Sequence, residues 1–122
     1  MLAAPATPTA GYGGVMSDAA VVNVLAVFHP SPGHREHVLA ALETAIPLVH
    51  DEPGCELYAI TEAADGRLVM MEKWQSQQYL DDHSAGPTVA ALVAALEGHL
   101  ERPVEVTVLA PLPIGDPVKG AL

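Results

Sequence analysis

Basic residues are scarce in this 122-residue chain, with five Lys and Arg against fifteen Asp and Glu and a formal charge of −10. Nucleic-acid affinity depends on neutralising phosphates with Lys and Arg, so this balance argues against a nucleic-acid partner. It argues equally against an anionic membrane surface. Cysteine occurs once, as Cys55, which excludes an internal disulfide and a multi-cysteine metal site. No apolar run approaches the roughly 20 residues of a membrane-spanning helix. The opening stretch MLAAPATPTAGYGGVMSDAA has neither a basic region nor a continuous apolar one, so the expected location is the cytoplasm. Aromatic residues make up only 4% of the chain. There is no glycine-rich phosphate loop and no dinucleotide fingerprint. The six histidines show no spacing that favours a metal site.

What remains is a chain that is half hydrophobic, of a length that fits one domain. Its core must be built mainly from Val, Leu, Ala, Ile and Met. Residues 1–19 are Ala, Pro, Thr and Gly with few large side chains, too little apolar surface to offset the entropy of ordering. They read as an extension outside the core, ordered if at all on a neighbouring subunit. Residues 20–111 read as the folded domain, and 112–122 as a Pro- and Gly-rich tail.

Within the domain, AVVNVLAVFHP reads as a strand ended by Pro30. GHREHVLAALETAIPLVHDEPG carries Val38, Leu42, Ala45 and Val49 at helical spacing, with Pro47 expected to kink its last turns. CELYAITEA and RLVMMEKW read as two strands joined through ADG. SQQYLDDHSAGPTVAALVAALEGHL reads as helix in two pieces divided at Gly86-Pro87, with Ser76 as the first N-cap. PVEVTVLA is a fourth, β-branched strand. The order β-α-β-β-α-β is that of an α+β, ferredoxin-like sheet with both helices on one face. In the first strand Val22, Val24, Ala26 and Phe28 point one way, and Val21, Leu25 and Val27 the other. Helices cover only one of these apolar faces, so a homodimer packed sheet to sheet is expected.

The chemistry-bearing residues cluster after the third strand. Leu68, Met70, Glu72 and Trp74 share one face of it. A carboxylate beside an indole can line a cavity between sheet and helices; alternatively Trp74 plugs the core edge and Glu72 pairs with a basic neighbour. His83, nine residues beyond Trp74, can move protons near neutral pH or bond a carbonyl at a helix end. His34 and His37 read as solvated, His50 and His99 as helix-end residues, and His29 as near a pocket mouth. Cys55 reads as a small buried hydrophobe rather than a nucleophile. Tyr58, by strict alternation, faces away from Cys55, lining either the cavity or the dimer sheet.

The stretches EPGCELYAI and LVMMEKWQSQQYLDDH, followed by GP, resemble the antibiotic biosynthesis monooxygenase family from about Val21 to Pro111. Within the family the likeness is nearest to the small bacterial quinol monooxygenases. The resemblance implies a dimeric α+β barrel with a pocket between sheet and helices in each subunit. It implies oxidation of a quinol or polycyclic phenol by O₂ with no metal, flavin or haem cofactor. On that reading Glu72 and His83 are the catalytic candidates, and Phe28, Tyr58, Met70 and Trp74 bind a small aromatic substrate. In the actinorhodin-type hydroxylases an Asn stands four residues before the Trp, where this chain has Met70; Trp74 carries over. The haem-ligating His of related haem-degrading enzymes corresponds to Leu92. An isomerase or other small-molecule enzyme on the same scaffold, or a non-catalytic ligand-binding dimer, are the competing readings.

Overall fold

The computed structural model describes residues 20–122. The expected N-terminal extension and its packing on a neighbouring subunit lie outside the described residues. The elements run β1 (Val22–Phe28), α1 (Arg35–His50), β2 (Cys55–Glu62), β3 (Leu68–Trp74), α2 (Gln77–Ser84), α3 (Pro87–Leu96) and β4 (Glu105–Leu109). The four strands form one antiparallel sheet in the order β2-β3-β1-β4. This is the ferredoxin-like α+β arrangement, with its second helix split in two where Gly86 caps α3 and Pro87 opens it. Proline at a first helical position costs nothing, because that amide has no helical partner anyway.

The core follows from the strand pleat. Val22, Val24, Ala26 and Phe28 of β1 are buried together with Leu68, Met70, Glu72 and Trp74 of β3. Their register matches, Val22 opposite Trp74 and Val24 opposite Glu72. Val38, Leu42, Ala45 and Val49 of α1 close over this face, each large side chain contributing about 1.5–3 kcal/mol when fully buried. The helix continues through Pro47 to His50.

Two departures from simple alternation matter. A register shift between Cys55 and Leu57 sets Cys55 opposite Trp74 and Tyr58 opposite Glu72. A bulge adds one residue to one strand and so reverses the parity beyond it. Cys55 and Tyr58 therefore share the helix-facing side, contrary to strict alternation. At the other edge, every residue of β4 is exposed. The helices stop short of this strand, so Val106 and Val108 face the helical side with little over them. On the opposite face of the sheet Leu57, Met71 and Leu109 are exposed.

Candidate active site

Glu72 and Trp74 stand two residues apart on β3 and so project to the same side. The Trp74 indole Nε1 donates to Glu72 Oε1 at 2.9 Å. The expected alternative, a basic partner for Glu72, is not what the structure forms. The indole satisfies one carboxylate oxygen in a place where an unpaired polar atom would be costly.

Helix α2 begins directly after β3. The Ser76 side chain accepts from the Tyr79 amide, which fixes where the helix starts and carries His83 back over the sheet. His83 is buried. Its ring lies over the Trp74 indole at a centroid distance of 4.5 Å, with Tyr58 edge-on at 5.5 Å. The chain has only five Phe, Trp and Tyr residues, and Tyr58 and Trp74 both flank this imidazole.

The residue that the sequence did not single out is Glu52. Its Oε1 lies 2.7 Å from His83 Nδ1. Glu52 sits in the turn between α1 and β2, which closes on Gly54 at φ 81°. A side chain at position 54 would collide with the Tyr79 ring, and the Gly54 carbonyl accepts from Gln75 N at 2.9 Å. The glycine thus lets the turn lie against the start of α2 and brings Glu52 to His83. A carboxylate can only accept, so the neutral imidazole carries its hydrogen on Nδ1 and leaves Nε2 with the lone pair.

Burial holds the Glu72 carboxyl above its ordinary value, helped by the charge of Glu52 and opposed by the indole hydrogen bond and by His83. Burial, then the charges of Glu72 and Glu52, push the Tyr58 hydroxyl up as well. The Cys55 thiol is raised chiefly by burial, then by the same two carboxylates. A thiol kept protonated is a poor nucleophile, in line with its expected role as a small hydrophobe.

Tyr58, Glu72, His83 and Ser84 supply the polar lining of a cavity of about 110 Å³ between sheet and helices. Val24, Ala26 and Phe28 form its floor, and Leu80, Val89 and Leu92 its roof. Of the residues expected to bind substrate, Phe28 and Tyr58 line this space. Met70 and Trp74 do not; both are fully buried behind it. Met70 lies between Ala26 and Ile60 in the sheet register and is core. Trp74 reaches the cavity only through Glu72 and His83. A larger, shallow groove of about 540 Å³ follows β2, but its His50 is engaged with the Tyr58 carbonyl at 2.9 Å.

The remaining histidines are more ordered than expected. His37 is exposed, as expected, and stacks on His99 at 3.5 Å; His34 is half-buried instead, with its Nδ1 2.8 Å from His99 Nδ1. His29 pairs with Glu105 at 3.0 Å and does not line the cavity. Among the described residues no group of three or more His, Cys, Asp or Glu is arranged to hold a metal ion. None of the described helices is long and apolar enough to cross a membrane.

Comparison with known proteins places this architecture. Rv0793 of Mycobacterium tuberculosis, which bears a monooxygenase name, is 41% identical over 92 residues, covering 75% of this chain and 91% of its own. The solved structure of Rv0793 superimposes with a TM-score of 0.73, covering 76% of this chain and 96% of that one. YgiN of Escherichia coli, which bears a quinol monooxygenase name, is 31% identical over 90 residues, covering 64% of this chain and 86% of its own. A protein from Methanosarcina mazei, 19% identical, shares the fold with a TM-score of 0.71, covering 76% of this chain and 94% of that one. The profile of the family described as antibiotic biosynthesis monooxygenase matches residues 21–95, and the chain belongs to that family.

Proposed function

We propose that this protein oxidises a quinol or related phenol with O₂, without metal, flavin or haem, and that His83 accepts the phenolic proton. The carrying observation is the Glu52–His83 pair at 2.7 Å beside an otherwise apolar cavity. One imidazole nitrogen is committed to Glu52, which leaves the other for substrate. A base so placed takes the hydroxyl proton, and Glu52 meets the charge that then forms on the ring. Exclusion of water by the apolar walls favours transfer over exchange with solvent.

The deprotonated quinol is itself the reductant. It gives one electron to O₂, and the semiquinone and superoxide join through a new C–O bond at a ring carbon. His83 returns its proton to the peroxide. The O–O bond then breaks as that ring carbon loses its hydrogen, and water leaves. The sum is quinol plus O₂ giving hydroxyquinone plus water, with every electron drawn from the substrate. Glu72 anchors the Trp74 indole that supports His83. A second reading makes Glu72 the base, because burial holds its carboxyl above the ordinary value.

In the same proposal the open sheet face, with exposed Leu57, Met71 and Leu109, packs against a second copy. The test of the chemistry is oxygen uptake with 2-methyl-1,4-naphthohydroquinone. The wild-type chain should exceed the spontaneous rate, and His83→Ala should not. Full activity in His83→Ala with loss in Glu72→Gln would transfer the role to Glu72. Stabilisation by the quinone without turnover would favour a binding protein instead.

A further inference from the structure

The cavity beside His83 is small, at about 110 Å³. An engineered apolar cavity of about 150 Å³ accepts one benzene ring. This cavity is smaller, so only part of a substrate ring enters beside Glu72 and His83, and whatever else the ring carries must lie in the mouth. The mouth leads somewhere definite. Val93, Leu96 and Val104 belong both to the cavity wall and to a second, outer groove of about 730 Å³. That groove runs on past Leu100 and Pro103, between the end of α3 and the segment entering β4. The chain reverses there at Gly98, at φ 83°, and Leu100 bridges back to Pro30.

We propose that this groove binds a neutral hydrocarbon substituent, alkyl or prenyl, carried on the ring that enters the cavity. The inference rests on the quinol reading for the identity of the ring, but its binding arm does not need turnover. Continuity is the first argument: Val93 is 60% exposed and Leu96 only 3%, so one helix face passes from solvent into the cavity without a polar break. Charge is the second. The groove's charged residues are Glu97, Glu101 and Arg102, with acid in excess, in a chain of formal charge −10. A phosphate or carboxylate tail is disfavoured there, and a hydrocarbon is not.

The experiment uses 1,4-naphthohydroquinones carrying methyl, butyl or octyl at carbon 2, with carbon 3 left free for oxygenation. The KM for oxygen uptake should fall about two- to fourfold per added methylene along the groove. The oxidised quinones should show the same trend in their quenching of Trp74, the one tryptophan in the chain. Leu100→Glu should flatten that dependence on tail length, and Pro103→Glu serves the same purpose should the first variant fold poorly. A wild-type KM and quenching constant independent of tail length overturn the proposal. Tail-dependent quenching with no turnover upholds the groove and defeats the oxidation reading, so the two can fail separately. Occupation by a second copy instead would be seen as a change of mass in Leu100→Glu by light scattering with the tail dependence intact, which also overturns it.

Discussion

If His83 is the base and Glu52 acts only through it, removing the two together should cost no more activity than removing His83 alone. The bond between them is short, at 2.7 Å, and sheltered, with side chains 6% and 21% exposed. Glu52→Gln keeps an oxygen that can accept from Nδ1 but deletes the negative charge. A hydrogen bond to a charged group contributes about 1.5–3 kcal/mol and a neutral one about 0.5–1.5. The difference is about 1–1.5 kcal/mol, or roughly a tenfold loss in kcat, since 1.36 kcal/mol corresponds to a factor of ten. His83→Ala deletes the base and should lose about two to four powers of ten. In the His83→Ala background, Glu52→Gln should then change kcat by less than about twofold, because the group it served is gone. The assay is initial-rate oxygen uptake with the same quinol for all four proteins, after circular dichroism confirms folding. Losses that multiply in the double variant would refute the coupling, and full activity in His83→Ala would refute the base.

Burial raises the Glu72 carboxyl, so the folded protein holds that proton to higher pH than the unfolded chain does. Its contribution to stability is therefore present at low pH and is lost as pH rises through the raised value. Glu72→Gln should gain stability relative to wild type in urea titrations as pH rises above the ordinary carboxylate range; a difference flat with pH would contradict this. Trp74→Ala should destabilise by about 3–5 kcal/mol and weaken quinol binding, measured by chemical denaturation and by KM; an unchanged midpoint would mean the indole is not packed as described. Met71→Asp on the open sheet face should turn a dimer into a monomer in light scattering, and a wild-type monomer at micromolar concentration would end the sheet-to-sheet proposal.

Much of this architecture is legible in the sequence because local periodicity encodes it. Alternation in VNVLAVF and LVMMEKW places Val24, Glu72 and Trp74 on the covered face. Gly86-Pro87 marks the break between α2 and α3, and Ser76 marks a helix start. What escapes is non-local. Strict alternation turns Tyr58 away from Cys55, because one extra residue in β2 leaves no mark in composition. Glu52 reads as part of a turn, since its partner lies 31 residues away and only the folded chain joins them. His34 and His99, 65 apart, escape for the same reason. Met70 looks like a pocket wall because parity says which face a residue takes, not how near the cavity it stands. The exposure of β4 is likewise invisible in PVEVTVLA, which reads only as a β-branched strand.

The central claim is that O₂ itself delivers an oxygen atom to the substrate at this site. Reaction with ¹⁸O₂ and 2-methyl-1,4-naphthohydroquinone, followed by mass spectrometry, tests it directly. The account predicts one labelled oxygen in a hydroxylated quinone and the other in water, with the labelled product absent in His83→Ala. An unlabelled quinone accompanied by hydrogen peroxide would contradict it, because the protein would then be passing electrons to O₂ without forming the C–O bond.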